Sequence, residues 1–179
     1  LVTLWIDASN PSIARETAQR FTATATFSDG ITEDVSDQVS WRARDIAPAR
    51  DVTVVDGAGL ARGRSAGQAT ITAALDGQEA STTLTVTLAA LSSLTLTPTA
   101  PSIAKGTSQA FTATGGFSDG TTQDVSNVAS WSVADVGSGV DVAFISGEGL
   151  AMGNNQGEAT VTATFLGKQD ATLLTVTAS

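Results

Sequence analysis

The sequence predicts an all-β protein made of two tandem β-sandwiches of about seven short strands each. Three observations carry that reading. The 179 residues repeat at a period of 90, so residues 1–89 and 90–179 are two copies of one module. Within each copy the apolar residues recur at every second position, not at the helical 3.6. Turn signals break the apolar runs every 8–12 residues or so, the spacing of a sandwich.

The repeat needs no gap. Pro11-Ser12-Ile13-Ala14 meets Pro101-Ser102-Ile103-Ala104, and Phe21-Thr22-Ala23-Thr24 meets Phe111-Thr112-Ala113-Thr114. Phe27-Ser28-Asp29-Gly30, Asp34-Val35-Ser36, Trp41, Gly59-Leu60-Ala61 and Leu84-Thr85-Val86-Thr87 all recur 90 residues later. Roughly 40 of 89 aligned pairs are identical. A module of this size can close one small core. The join, Thr87 to Ser93, holds Leu88 and Leu91 but no Gly or Pro. It is too short and too apolar for a flexible linker. The pair is therefore expected to form an elongated, semi-rigid rod.

Each element of the first copy follows from alternation. Leu4 and Ile6 put one face of the opening run, residues 1–7, into a core. Phe21, Ala23, Ala25 and Phe27 alternate with Thr22, Thr24 and Thr26. Val39, Trp41 and Ala43 mark a third strand, with the single mid-module Trp as core anchor. Val52 to Val55 and Gly59 to Gly63 read as two short strands. Ala69, Ile71, Ala73 and Leu75 alternate with Thr70 and Thr72, and Leu84 and Val86 mark the last strand. Asp29-Gly30 and Asp76-Gly77 are turn signals, because Gly accepts positive φ and Asp bonds its own backbone.

Composition excludes several kinds of chemistry. The chain has no His, Cys or Tyr. A Ser-His-Asp triad, a Cys-His pair and an ordinary structural zinc site are thus out of reach. A net charge of -9 makes nucleic acid an unfavourable partner. No run is long and apolar enough for a membrane-spanning helix, so no membrane insertion is expected. No signal peptide is visible, and the immediate start on a strand suggests a fragment of a longer protein. The absence of Cys fits either a fold that does without disulfides or an exported protein that avoids accidental oxidation.

These motifs, in this order and twice over, resemble the bacterial immunoglobulin-like domain, group 2, across nearly the whole chain. The resemblance implies two tandem immunoglobulin-like sandwiches in an extracellular, cell-surface or phage-particle protein. It implies neighbouring Ig-like repeats as partners, a spacer or binding role, and no catalytic machinery. Two stretches depart from the pattern. Arg15-Glu16-Thr17 stands where the second copy has Lys105-Gly106-Thr107, which is expected to loosen a tight turn. The segment between Trp and Gly-Leu is longer, through Ala47-Pro48-Ala49 and Gly137-Ser138-Gly139, and its conformation is left open.

Five features are weighed as sites. Gly63-Arg64-Ser65-Ala66-Gly67 matches a nucleophile-elbow spacing, but it lacks a His, and the second copy, Gly153 to Gly157, lacks the Ser. It reads as a turn. Glu33, Asp34 and Asp37 cluster as paired carboxylates would in a glycosidase, yet only Asp124 survives of the three in the second copy. Asp29, Asp34, Asp119 and Asp124 would be the calcium ligands, with Asp135 and Asp141 near them in sequence. The plainer reading is that these Asp residues cap turns. No cofactor is therefore expected, calcium being the one alternative. All seven Arg lie in the first copy; Arg42, Arg44, Arg62 and Arg64 would make a basic face for an anionic glycan or acidic partner, or a face balanced by nearby carboxylates. Trp5 alternates with Leu4 and Ile6 and should point outward, to stack on a sugar or to pack against a preceding module. The outward Thr rows serve β propensity and solubility, and an ice-binding reading of them is set aside.

The function expected is a non-catalytic spacer or stalk and adhesion scaffold. The alternative is a glycan- or receptor-binding module working through Trp5 or the Arg face, with a surface glycan or host protein as partner.

Overall fold

The computed structural model describes residues 1–8 and 11–178, and every regular element among them is a β-strand. The chain divides into two compact units, Leu1–Ala89 and Ala90–Ser179.

The first unit contains β1 (Thr3–Ala8), β2 (Ser12–Ala14), β3 (Ala18–Thr26), β4 (Thr32–Asp34), β5 (Ser40–Asp45), β6 (Thr53–Val55), β7 (Leu60–Gly63), β8 (Gly67–Leu75) and β9 (Gln78–Thr87). One sheet runs β1-β3-β7-β6, with β4 also against β3; the other runs β2-β9-β8-β5. Alternation sets which face is buried. Phe21, Ala23 and Ala25 of β3, Ala69, Ile71 and Ala73 of β8, and Leu84 of β9 are fully enclosed between the sheets. Ile13, Val52 and Val86 complete one cluster. Val35 and Val39 build a second, with Leu4 and Trp41 packed against it. Enclosing one such Leu, Ile or Phe side chain contributes about 1.5–3 kcal/mol.

The first unit has two short strands beyond the seven anticipated. Every residue of β4 is exposed, so it carries no apolar pattern. β2 is three residues long and pairs in parallel with the last strand, Ser12↔Thr85, Ile13↔Val86 and Ala14↔Thr87. The N-terminal segment therefore serves both sheets: β1 lies antiparallel to β3 in one, and β2 lies parallel to β9 in the other.

The second unit contains β10 (Leu91–Thr97), β11 (Ser102–Ala104), β12 (Ser108–Ala110), β13 (Thr112–Phe117), β14 (Thr122–Asp124), β15 (Ser130–Val136), β16 (Ala143–Ile145), β17 (Leu150–Gly153), β18 (Gly157–Phe165) and β19 (Lys168–Thr177). The sheet orders are β10-β13-β14, β12-β17-β16 and β11-β19-β18-β15. β12 and β13 together hold the place of β3. The strand is interrupted at Phe111, whose N–H still donates to the Gly149 carbonyl at 2.8 Å, as Phe21 does to Gly59 at 2.8 Å. β11 repeats the parallel pairing, Ser102↔Thr175 to Ala104↔Thr177.

The turn at Glu16 is not looser than its copy. The Thr17 N–H donates to Ala14 O at 3.2 Å, and the Thr107 N–H to Ala104 O at 3.1 Å. Glu16 N–H reaches Gly63 O at 2.9 Å, and Gly106 N–H reaches Gly153 O at 2.8 Å. Glu16 has φ 70° and Gly106 has φ 82°. The bonds on either side hold Glu in the left-handed conformation that Gly adopts freely, so the departure in sequence is stored as backbone strain.

Candidate functional site

The polar groups common to both copies sit at strand ends and hold loops. Asp34 lies at the end of β4. Its Oδ1 accepts the Ser36 N–H at 2.9 Å and the Ser36 hydroxyl at 2.5 Å. Ser36 Oγ accepts the Ala23 N–H of β3 at 2.9 Å, and Ser36 O accepts Trp41 Nε1–H of β5 at 2.9 Å. One carboxylate, one hydroxyl and one indole thereby tie β3, β4 and β5 together. Asp124, Ser126, Ala113 and Trp131 repeat the arrangement with the same distances. The Ser36 hydroxyl, and next its N–H, favour the charged form and hold the Asp34 carboxyl below its ordinary value.

The other two calcium candidates are also engaged in turns. Asp29 Oδ1 accepts the Ile31 N–H at 3.0 Å. Asp119 Oδ1 accepts the Thr121 N–H at 3.0 Å and the Thr121 hydroxyl at 2.7 Å. The hydroxyl, then the N–H, lowers the Asp119 pKa from its ordinary value. These are Asx-type turns, the bonding that makes Asp a favoured turn residue. Among the described residues, no three Asp or Glu come together where they could hold a metal ion.

Asp45 is a residue the sequence reading passed over. Its Oδ2 accepts the Asp51 N–H at 2.6 Å and its Oδ1 the Val52 N–H at 3.1 Å, closing the long segment after β5. Asp135 does the same for Asp141 at 2.8 Å and Val142 at 3.0 Å. The open question about that loop is thereby answered: a carboxylate at its base clasps it in both units. The recurrence of Asp at positions 45 and 135 was the available signal.

The four Arg candidates do not share one face. Arg42 and Arg44 lie on β5 beside Thr72 and Thr70 of β8. Arg62 lies on β7, in the opposite sheet. Arg42 Nη2 donates to both Glu79 carboxylate oxygens, at 2.9 and 2.8 Å, and Arg64 Nη1 meets Asp51 Oδ1 at 3.2 Å. Two of the four charges are thus balanced locally.

Trp5 points outward from β1, 51% exposed, while Leu4 and Ile6 pack inward. Its cross-strand neighbour is Thr24, and beyond Thr24 lies Asp34. Gly63-Arg64-Ser65-Ala66-Gly67 bridges β7 and β8, with the Arg64 and Ser65 N–H groups donating to Val52 O at 2.8 and 3.4 Å. It is a turn between strands, without the helix a nucleophile elbow needs.

Comparison with known proteins follows these lines. The chain is 41% identical over 177 residues to Ice-binding protein 1 of Shewanella frigidimarina (strain NCIMB 400), a match covering 99% of this chain and 19% of that protein. Domains 5–6 of the S-layer protein SbsC align at 13% identity and a TM-score of 0.48, covering 98% of this chain and 97% of that one. Drosophila N-cadherin EC1-3 aligns at 12% identity and a TM-score of 0.36, covering 99% and 67%. The profile of the bacterial Ig-like domain (group 2) matches residues 90–176. That stretch, nearly all of the second unit, is a bacterial Ig-like domain of group 2.

Proposed function

We propose that the chain is a tandem pair of Ig-like domains acting as a non-catalytic spacer and adhesion scaffold in a larger extracellular or surface-attached bacterial protein. One observation carries the reading. The polar side chains that both units share, Asp34/Asp124, Ser36/Ser126, Asp45/Asp135 and Trp41/Trp131, are all engaged in closing loops within their own unit. What the repeat preserves is the sandwich itself. The first unit shares the strand order and the Asp-Ser-Trp network, and we read it as a second member of the same family. The match to a fifth of a longer protein supports a segment that works within a larger chain. That relative is named for ice binding; in our reading, any ice contact of a parent protein lies outside these residues.

The test is an exchange in the parent protein. Replacing residues 1–179 by two unrelated β-sandwich domains of equal length should preserve surface attachment and reach, whereas deleting them should shorten reach. Loss of attachment on replacement would sink the spacer reading. The isolated chain should show no inhibition of ice recrystallisation, and adding calcium should leave its melting temperature unchanged by calorimetry.

One observation favours the second reading, glycan binding: the exposed indole of Trp5 beside the Thr24 hydroxyl. An aromatic face flanked by polar groups suits a sugar ring. Glycan-array binding that Trp5→Ala abolishes would establish it. The Arg residues are a weaker basis, because they divide between two sheets.

A further inference from the structure

We infer that each unit is built to resist tension applied between its two ends, and that the parallel strand pairs β2–β9 and β11–β19 are the parts that bear it. The inference deepens the spacer reading and rests on it only for its biological meaning. The argument is geometric. In a parallel pair the two strands point the same way. Tension pulls the N-terminal segment backward along its axis and the C-terminal strand forward along its own. In the first unit those are β1–β2 and β9, and β2 is paired with β9 directly. The force then slides the two strands past each other and loads all their hydrogen bonds together.

The bonds at stake are the same in both units. Thr85 N–H donates to Pro11 O at 2.8 Å and Arg15 N–H to Thr87 O at 3.0 Å, one at each end of the parallel pair. Thr175 N–H donates to Pro101 O at 3.0 Å and Lys105 N–H to Thr177 O at 3.0 Å. β1 adds a second sheared ladder against β3, six pairs from Thr3↔Thr26 to Ala8↔Phe21. The N-terminal segment is thus held in both sheets, and neither attachment can open from one end while tension runs along the strand.

The turn after β2 offers a clean perturbation. Arg15 is the second residue of the turn Ala14–Thr17, and the third, Glu16, has φ 70°. That is the position where Pro is favoured in a turn of type II. Arg15→Pro therefore fits the turn while deleting the N–H that bonds Thr87. Lys105→Pro does the same in the second unit.

The experiment is single-molecule force spectroscopy on the whole chain held by its two ends. The unaltered chain should give two unfolding events, each lengthening the chain by somewhat less than about 32 nm, the span of one extended unit. Arg15→Pro should shift one event to lower force and leave the other in place. Lys105→Pro should shift the other event, and the double variant both. Arg15→Ala keeps the N–H and should shift neither. The chain has no Cys, so one placed at exposed Glu158 gives a second handle without side reactions. Glu158 pairs with Thr175, so pulling between it and the C-terminal end peels β19 from β18 pair by pair. That geometry should unfold the second unit at several-fold lower force. Equal force in the two geometries, or an unchanged event in Arg15→Pro with its fold verified by melting, would overturn the inference. Either result would leave the spacer exchange experiment unaffected, so the two ideas fail separately.

Discussion

Exchanging the residues at Glu16 and Gly106 should move the stabilities of the two units in opposite directions. Both positions hold the left-handed conformation, φ 70° and 82°, in turns closed by the same hydrogen bonds. A side chain in that region costs about 1–2 kcal/mol. Introducing Gly returns some 0.4–1 kcal/mol to the unfolded state through its extra freedom. The Arg15–Glu16 ion pair, 3.6 Å apart with both side chains about half exposed, offsets at most a few tenths. Glu16→Gly should therefore stabilise the first unit by about 0.5–1 kcal/mol, and Gly106→Glu should destabilise the second by a similar amount. For a domain of this size each kcal/mol moves Tm by about 4–8 °C. Calorimetry of the full chain would follow both units at once, with Trp131 fluorescence reporting on the second. Glu16→Ala is the control: it removes the ion pair but keeps the strained backbone, so it should give no gain. Shifts of the same sign, or stabilisation by Glu16→Ala equal to that of Glu16→Gly, would refute the argument.

Three further outcomes can be checked with the same chain. At Gly149 a Cβ would sit 2.6 Å from Phe111 O and 2.7 Å from the Trp131 ring, at φ +82°, whereas at Gly120, φ +81°, it would meet nothing. Gly149→Ala should cost about 3 kcal/mol or more, against about 1 kcal/mol for Gly120→Ala, in denaturant unfolding; equal losses would show that the contact with Trp131 is of no consequence. Because the Asp34 and Asp119 carboxyls are lowered in the folded state, their contribution is present above the usual carboxylate pKa and is lost as pH falls through the folded value, below about pH 4. A chain with Asp34→Asn and Asp119→Asn should lose less stability between pH 5 and pH 2 than the unaltered chain, and an equal loss in both would contradict the assignment. Asp45→Ala frees the Asp51 and Val52 N–H groups and should destabilise the first unit by about 1–2 kcal/mol, with amide exchange accelerated first at Val52; unchanged exchange there would dismiss the clasp.

What could be read from the sequence was whatever a local pattern encodes. Phe21, Ala23 and Ala25 face inward because residues two apart share a strand face, and the same rule turns Trp5 outward. Trp41 was legible as an anchor, though its bond to the Ser36 carbonyl was not, since a backbone acceptor has no letter in the sequence. The clasp at Asp45 was hidden for the same reason. β2 was missed because three residues show no alternation and its partner lies far along the chain. β4 was missed because it buries nothing. The Arg face dissolved because assigning Arg42 and Arg62 to different sheets depends on strand order, which spacing along the chain does not contain. Glu16 was misjudged because residue preference was weighed without the two bonds that outweigh it.

The pairing of β2 with β9 also governs the order in which each unit can be made. Ser12 and Thr85 are 73 residues apart, so the first sheet to hold the N-terminal segment, through β3, can form long before the second. Contacts this distant in sequence close slowly, after the nearer ones are in place. During synthesis the first unit therefore remains unsealed until its last strand has emerged, by which time the second unit is already being translated. With 41 of their aligned residues or thereabouts in common, the two units are each other's closest wrong partner at that moment. β9 carries Thr85-Val86-Thr87 and β19 carries Thr175-Val176-Thr177, so either could accept β2 on sequence alone. Vectorial synthesis, which offers β9 first, is what decides the pairing.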